Sequence, residues 1–302
     1  MPDARDDPPA TIRQPGPAVA GRIVAVPGSG RALVLDLPAR VPLVQAVHRA
    51  FAARGFIGGT VAMDGVALGP FAYVQPALAR TPQHAAYYSD TIRPSGVTRL
   101  DHGAMTFGRR EGTPFFHCHA AWVEADGRRS GGHILPEGTV LAAPASVPGF
   151  GFAGGVFEAE PDPETNFTLF GPVPAEPSAF ARDARDARAH ALRLRPNQDL
   201  CGALERYCAA HGILAARIHG GVGSTIGARF ADGTVVRPFA TEAFIRHGRI
   251  GPGTDGGPEA MLEVAQVDCT GALAAGRMRR GANPVLMTYE LVLEVLDWSG
   301  MR

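Results

Sequence analysis

Residues 43–51 place apolar side chains at Leu43, Ala46, Val47, Ala50 and Phe51, the spacing of one face of a helix. Gly55 stands where a left-handed residue would end that helix, and an apolar strand at 56–61 follows. An alternating strand at 32–37 precedes it. The same pattern returns without a gap later in the chain. Leu200, Ala203, Leu204, Tyr207 and Cys208 form the second apolar face, Gly212 ends it, and strands are predicted at 191–194 and 213–218. His102-Gly103-Ala104-Met105 has a fainter counterpart in His247-Gly248-Arg249-Ile250. The repeat predicts an α+β chain of two similar domains, each a largely antiparallel sheet with one main packed helix.

Punctuation by proline and charge sets the expected boundaries: a disordered tail over 1–20, a first domain over 21–172, a linker over 173–187 and a second domain over 188–302. Residues 161–165 read as a turn between the last two strands of the first domain. The charged run 179–188 reads as a short helix leading into the second.

The chemistry concentrates in residues 114–138. An aromatic strand there carries His117 and His119, two residues apart, so both imidazoles share one face while Cys118 points away. Two imidazoles side by side are a compact offer of nitrogen ligands to a divalent cation, zinc first. His133, on the next strand, is the expected third ligand. A two-residue turn at Asp126-Gly127 would pair Ala120 with His133 and turn His133 to the wrong face. A bulge at Gly131-Gly132 is the expected correction.

These same phrases, HCHAAW at 117–122 and GGHILPEG at 131–138 below a strand and helix ending in Gly55, resemble the plants-and-prokaryotes-conserved (PPC) domain family. The resemblance is strong over 31–172 and weak in the second half, which it marks as a degenerate copy of a tandem pair. It implies a sheet-rich α+β domain that assembles as a trimer, a metal on the three motif histidines in prokaryotic members, and DNA-associated roles in plants through AT-hooks. No AT-hook occurs in this sequence. Aligning the last hairpins places Glu263 or a neighbour at the HxH positions and Arg277 at the third, so the second copy is expected to hold no metal. Arg277 could instead fork onto an anionic group.

Composition narrows the options further. The chain of 302 residues carries 29 basic and 29 acidic side chains, and every basic one is arginine. Without lysine there is no Schiff-base nucleophile, pyridoxal anchor or P-loop lysine. Neutral net charge argues against nucleic acid as a partner, no apolar run is long enough to span a membrane, and four scattered cysteines suggest no disulfide framework. A cytoplasmic protein is expected. The glycine pairs at 28–30 and 221–223 lack the spacing and following helix of a dinucleotide loop.

The expected function is a metal-dependent enzyme, a lyase, hydratase or hydrolase, acting on a small carboxylated metabolite and working as a homo-oligomer, a trimer first. His84, Tyr87 and His102 are the candidate proton-handling residues, and Arg93 and Arg277 the candidate substrate-binding ones. The alternative is a non-catalytic, DNA-associated or regulatory module.

Overall fold

The structure is a computed structural model that describes residues 7–175 and 187–296. The first half contains β1 (Ile23–Leu37), α1 (Leu43–Ala52), β2 (Gly59–Ala62), four short strands β3 (Ala67–Leu68), β4 (Tyr73–Val74), β5 (Pro76–Leu78) and β6 (Ala86–Tyr88), then β7 (Thr98–Arg110), β8 (Thr113–Val123), β9 (Arg129–Ile134), β10 (Ala145–Ala153), β11 (Gly155–Pro161) and β12 (Thr168–Pro174). The second half contains β13 (Ala187–Leu194), α2 (Leu200–Ala210), β14 (Ala216–Arg229), β15 (Val235–Pro252), β16 (Pro258–Asp268), β17 (Leu273–Arg277) and β18 (Val285–Val295).

Strand order gives the architecture. The first half runs β1-β10-β2-β7-β8-β9, and the second runs β13-β18-β14-β15-β16-β17. Position for position these are the same path, with the helix following the first strand in both. The fold class is therefore α+β, with two similar, mostly antiparallel units. Antiparallel pairing of β1 with β13, from Ile23 opposite Leu194 to Gly30 opposite Ala187, makes one continuous sheet of both.

The two helices form as their periodicity requires. In α1, Leu43, Ala46, Val47 and Phe51 are buried, and in α2 Leu200, Ala203, Leu204, Tyr207 and Cys208 are buried. Asp199 caps α2 by accepting a hydrogen bond from Gly202 N at 2.8 Å. Gly55 and Gly212 both adopt the left-handed conformation, at φ 80° and 65°. Each helix covers its own core. Beneath α1 lie Phe116, Cys118, Ala120 and Trp122 of β8, and beneath α2 lie Leu262 and Val264 of β16.

Between the units a third layer forms. Ala104 and Ala121 of the first pack on Val222, Phe244 and Ala265 of the second, and Phe150 stacks on His219 with ring centroids 4.1 Å apart. At the edge of this contact, Asp162 in the β11–β12 turn is buried and accepts 2.7 Å hydrogen bonds from both Arg193 and Arg195.

The N-terminal segment differs from the expected disordered tail. Ile12 N donates to Asn197 Oδ1 at 2.8 Å, Gln14 Nε2 to Leu286 O at 2.7 Å and Gly16 N to Glu164 O at 2.9 Å. Proline there pre-sets an extended strap whose polar groups find partners on other segments. The expected short charged helix and most of the expected linker lie outside the described residues. Among the described residues, no helix is long and apolar enough to cross a membrane.

Candidate metal centre

Strand alternation builds the first half of the site. Phe116, Cys118, Ala120 and Trp122 turn into the core below α1, so His117 and His119 must face the other way, toward the second domain. The third histidine arrives by a different route from the one expected. Glu124 N donates to Arg128 O at 2.8 Å and Gly127 N to Glu124 O at 2.9 Å, so the loop is Ala125-Asp126-Gly127, three residues long, with Gly127 at φ 85°. That extra residue shifts the register by one and sets His133 directly opposite His119.

The glycine pair does other work. A Cβ on Gly132 would lie 2.4 Å from Val74 O, and one on Gly131 would lie 2.9 Å from Leu273 of the second domain. The glycines let β4 and the second domain approach; they do not break the hairpin's register.

The second domain supplies what the first cannot. Glu242 of β15 joins the three histidines, and one ligand atom from each of the four residues lies within 4.8 Å of the others. Nε2 of His119 is 3.0 Å from Nε2 of His117, 3.3 Å from Nδ1 of His133 and 2.5 Å from a Glu242 oxygen. The outer nitrogens are held by the same domain. His117 Nδ1 donates to Glu290 Oε2 at 2.8 Å, and His119 Nδ1 donates to the carbonyl of Ala243 at 3.0 Å. Glu290 is fully buried and accepts a further hydrogen bond from Thr288 at 3.0 Å.

The tautomer follows from chemistry. A carbonyl only accepts, so His119 carries a proton on Nδ1, and its Nε2 is the atom turned toward the cluster. That atom faces a carboxylate oxygen and two other imidazole nitrogens. Four such atoms turned toward one point could hold a metal ion. Three imidazoles and one carboxylate, their outer nitrogens anchored by carboxylate and carbonyl, fit a divalent metal in donor type and number.

Electrostatics around the cluster divide it. Burial holds His133 well below the ordinary histidine range, and the neighbouring His117 and His119 push the same way. Burial also disfavours charge on His117, but the charge and hydrogen bond of Glu290, with Glu242, outweigh it and raise this group. Tyr88 lies edge-on to His133, with centroids 5.4 Å apart. Burial raises its phenol far above the usual range, helped by Glu242 and Glu290, so it remains a neutral donor.

A cavity of about 30 Å³ reaches His117 and Glu242 past Tyr88, Ser224, Thr288 and Phe167. That volume holds one or two waters.

Other expected site residues stand elsewhere. Alternation along β6 turns Tyr88 inward and leaves Tyr87 half-exposed at the cavity mouth, where it stacks with Phe167 and lies tilted against His84. His102 is paired with Asp64 and Arg246, 3.0 Å from each, away from the three histidines. Arg93 is exposed, Arg277 lies on β17, and neither lines the cavity. Sequence reasoning missed Glu242 and Glu290, which are more than a hundred residues from the histidines and sit in apolar strands with no local motif.

Residues 181–297 match the Plants and Prokaryotes Conserved (PCC) domain. That match lies within the second half of the chain, and the first half repeats the same strand order. This reverses the expected balance, in which the first half carried the stronger resemblance. Among solved structures, the chain is similar to a plant- and prokaryote-conserved protein of Pyrococcus horikoshii, with 17% identity over 52% of this chain and 100% of that one at a TM-score of 0.38. It is also similar to a metal-containing protein of Archaeoglobus fulgidus, with 17% identity over 47% and 94% at 0.36. A third, from Ralstonia eutropha JMP134, is described as a candidate DNA-binding protein, with 14% identity over 46% and 89% at 0.33. Among curated proteins no relative matches.

The description of that third neighbour, and of one from Bacteroides thetaiotaomicron, corrects the exclusion of nucleic acid as a partner. Balanced net charge describes a total and says nothing of how arginines are distributed over the surface.

Proposed function

We propose that this protein binds one divalent cation between its two domains, through His117, His119, His133 and Glu242. The observation that carries the reading is the convergence of four ligand atoms, one each from His117, His119, His133 and Glu242, all within 4.8 Å of one another. Four protein ligands close a tetrahedral shell, which is the pattern of sites whose metal holds structure together. Here the cation would tie three ligands of one domain to one of the other, with Glu290 and Ala243 orienting two of the imidazoles. Zinc is the first metal to test, because a site rich in imidazole suits it.

A second reading, metal-dependent hydrolysis, hydration or lysis of a small molecule, draws support from the cavity beside His117 and Glu242. A metal in this position would supply an activated water or polarise a carbonyl. Glu242 would then hold or move a proton of that water instead of ligating, and the neutral phenol of Tyr88 would donate a hydrogen bond into the cavity. A carboxylated substrate finds no guanidinium in that lining, so a small uncharged molecule suits this reading better.

Metal analysis separates the possibilities. Wild-type protein dialysed against trace zinc should retain about one equivalent, and His117→Ala should retain far less. Equal metal in the two removes the centre. Glu242→Gln that keeps its metal and loses a measured activity would favour the catalytic reading; loss of the metal itself favours the interdomain clamp.

A further inference from the structure

The second domain contains its own version of the histidine hairpin. Asp268 N donates to Ala272 O at 3.0 Å and Gly271 N to Asp268 O at 2.9 Å, the pattern seen from Glu124 to Arg128. Counting from these matching turns puts Met261, Glu263 and Arg277 at the places of His117, His119 and His133. Glu263 stands opposite Arg277 as His119 stands opposite His133. In the first domain this face is covered. In the second it opens into a groove of about 800 Å³ lined by residues of the second domain, among them Arg217, Arg246, His247, Arg249, Glu263 and Arg277.

The charges in this groove are unbalanced. Arg217 and Arg249 are direct cross-strand partners, an arrangement that like charges disfavour. Arg249 reaches the Met261 thioether at 3.3 Å, and Arg246 reaches the ring of His102 at 3.0 Å. Glu294 attends Arg217 at 3.3 Å, while Glu259 lies 3.9 Å from Arg277 and is shared with Arg280. Among the lining residues, four guanidiniums meet one carboxylate, Glu263. The lining has no phenyl, phenol or indole side chain, so the groove is built to read charge and not to stack a base.

We propose that this groove binds a phosphate group. Guanidinium forks match tetrahedral oxyanions bidentately, and an anion seated between Arg217 and Arg249 removes their repulsion. The phosphate can come from a small phosphorylated molecule or from a nucleic-acid backbone. At the duplicated positions Met261, Glu263 and Arg277 replace the three imidazoles, and the groove's other three arginines come from β14 and β15. The inference does not depend on the metal centre.

The test uses metal-loaded, full-length protein. Inorganic phosphate is titrated by calorimetry, and a short labelled DNA duplex by fluorescence anisotropy at low salt. At least one probe should bind, and the doubly substituted Arg249→Ala, Arg277→Ala protein should bind it roughly tenfold or more weakly, as expected for losing charged contacts. Glu263→Gln should bind more tightly, a gain that damaged folding would not produce. Phosphate binding without duplex binding assigns a small-molecule ligand; duplex binding that weakens with salt assigns the backbone. Absence of binding by both probes, or equal binding by wild type and the double variant, overturns the proposal.

Discussion

Replacing Glu242 by glutamine keeps the side chain's shape and removes its charge, so it isolates the ligand that the second domain contributes. Glu242 is buried, with its oxygen 2.5 Å from His119 Nε2, and belongs to the four-residue cluster. A ligand that binds only the folded state stabilises it by about 2.7 kcal/mol when present at about 100 times its dissociation constant. If the substitution weakens metal binding about 100-fold, as loss of a strong coordinating or orienting group does, the same metal concentration yields about 0.4 kcal/mol. At about 2–4 °C per kcal/mol for a chain of this size, zinc should raise the melting temperature of wild type by roughly 5–10 °C and of Glu242→Gln by about 1–2 °C. Differential scanning fluorimetry with and without added zinc reads this directly. A variant with the full wild-type shift would show that Glu242 is not part of the metal's shell and that the second domain does not help to hold it.

Further predictions concern groups around the centre and the fold that aims it. Glu290→Gln should lower zinc affinity by about 10–100-fold in competition with a chromophoric chelator, because it weakens the bond that fixes the ring of His117. Gly132→Ala should destabilise the protein by about 1–3 kcal/mol in urea melts, since its methyl would meet Val74 O at 2.4 Å. His190 is held below the ordinary histidine range by burial, with His211 and Arg188 adding to the effect. Below the ordinary value the unfolded chain takes up a proton that the folded one refuses. The stability from neutral His190 is therefore complete above pH about 6.5 and is lost as pH falls toward the lowered folded value. Metal-free His190→Asn should show a shallower loss of stability than wild type between pH 7.5 and 5.5, followed by denaturant titration at each pH.

Much of this was visible in the order of residues, and what was missing has physical reasons. The apolar faces of α1 and α2, with Gly55 and Gly212 behind them, announced the repeat because helical periodicity is local. His117 and His119 announced the site because strand alternation is local too. The hairpin register was misread because Asp126-Gly127 suits both a two-residue turn and the last positions of a three-residue one. Only the backbone shows which is used.

Glu242 and Glu290 could not be read at all. Each is an acid in an apolar strand of the other domain, and what brings them to the histidines is the pairing of β1 with β13 and the packing of Ala121 against Phe244 and Ala265. Tyr88 in place of Tyr87 is a matter of one residue's phase along a three-residue strand, too short for its alternation to be read from sequence. Net charge misled in a related way: a total of zero conceals four arginines lining one groove.

The account turns on a cation at the point where the histidine rings and Glu242 converge. X-ray absorption at the zinc edge of reconstituted protein measures that arrangement without any assay of activity. The expected spectrum contains three imidazoles and one carboxylate oxygen at about 2.0–2.2 Å, and fits one imidazole fewer in His133→Ala. A first shell of water oxygens, or an imidazole count that His133→Ala leaves unchanged, would contradict it.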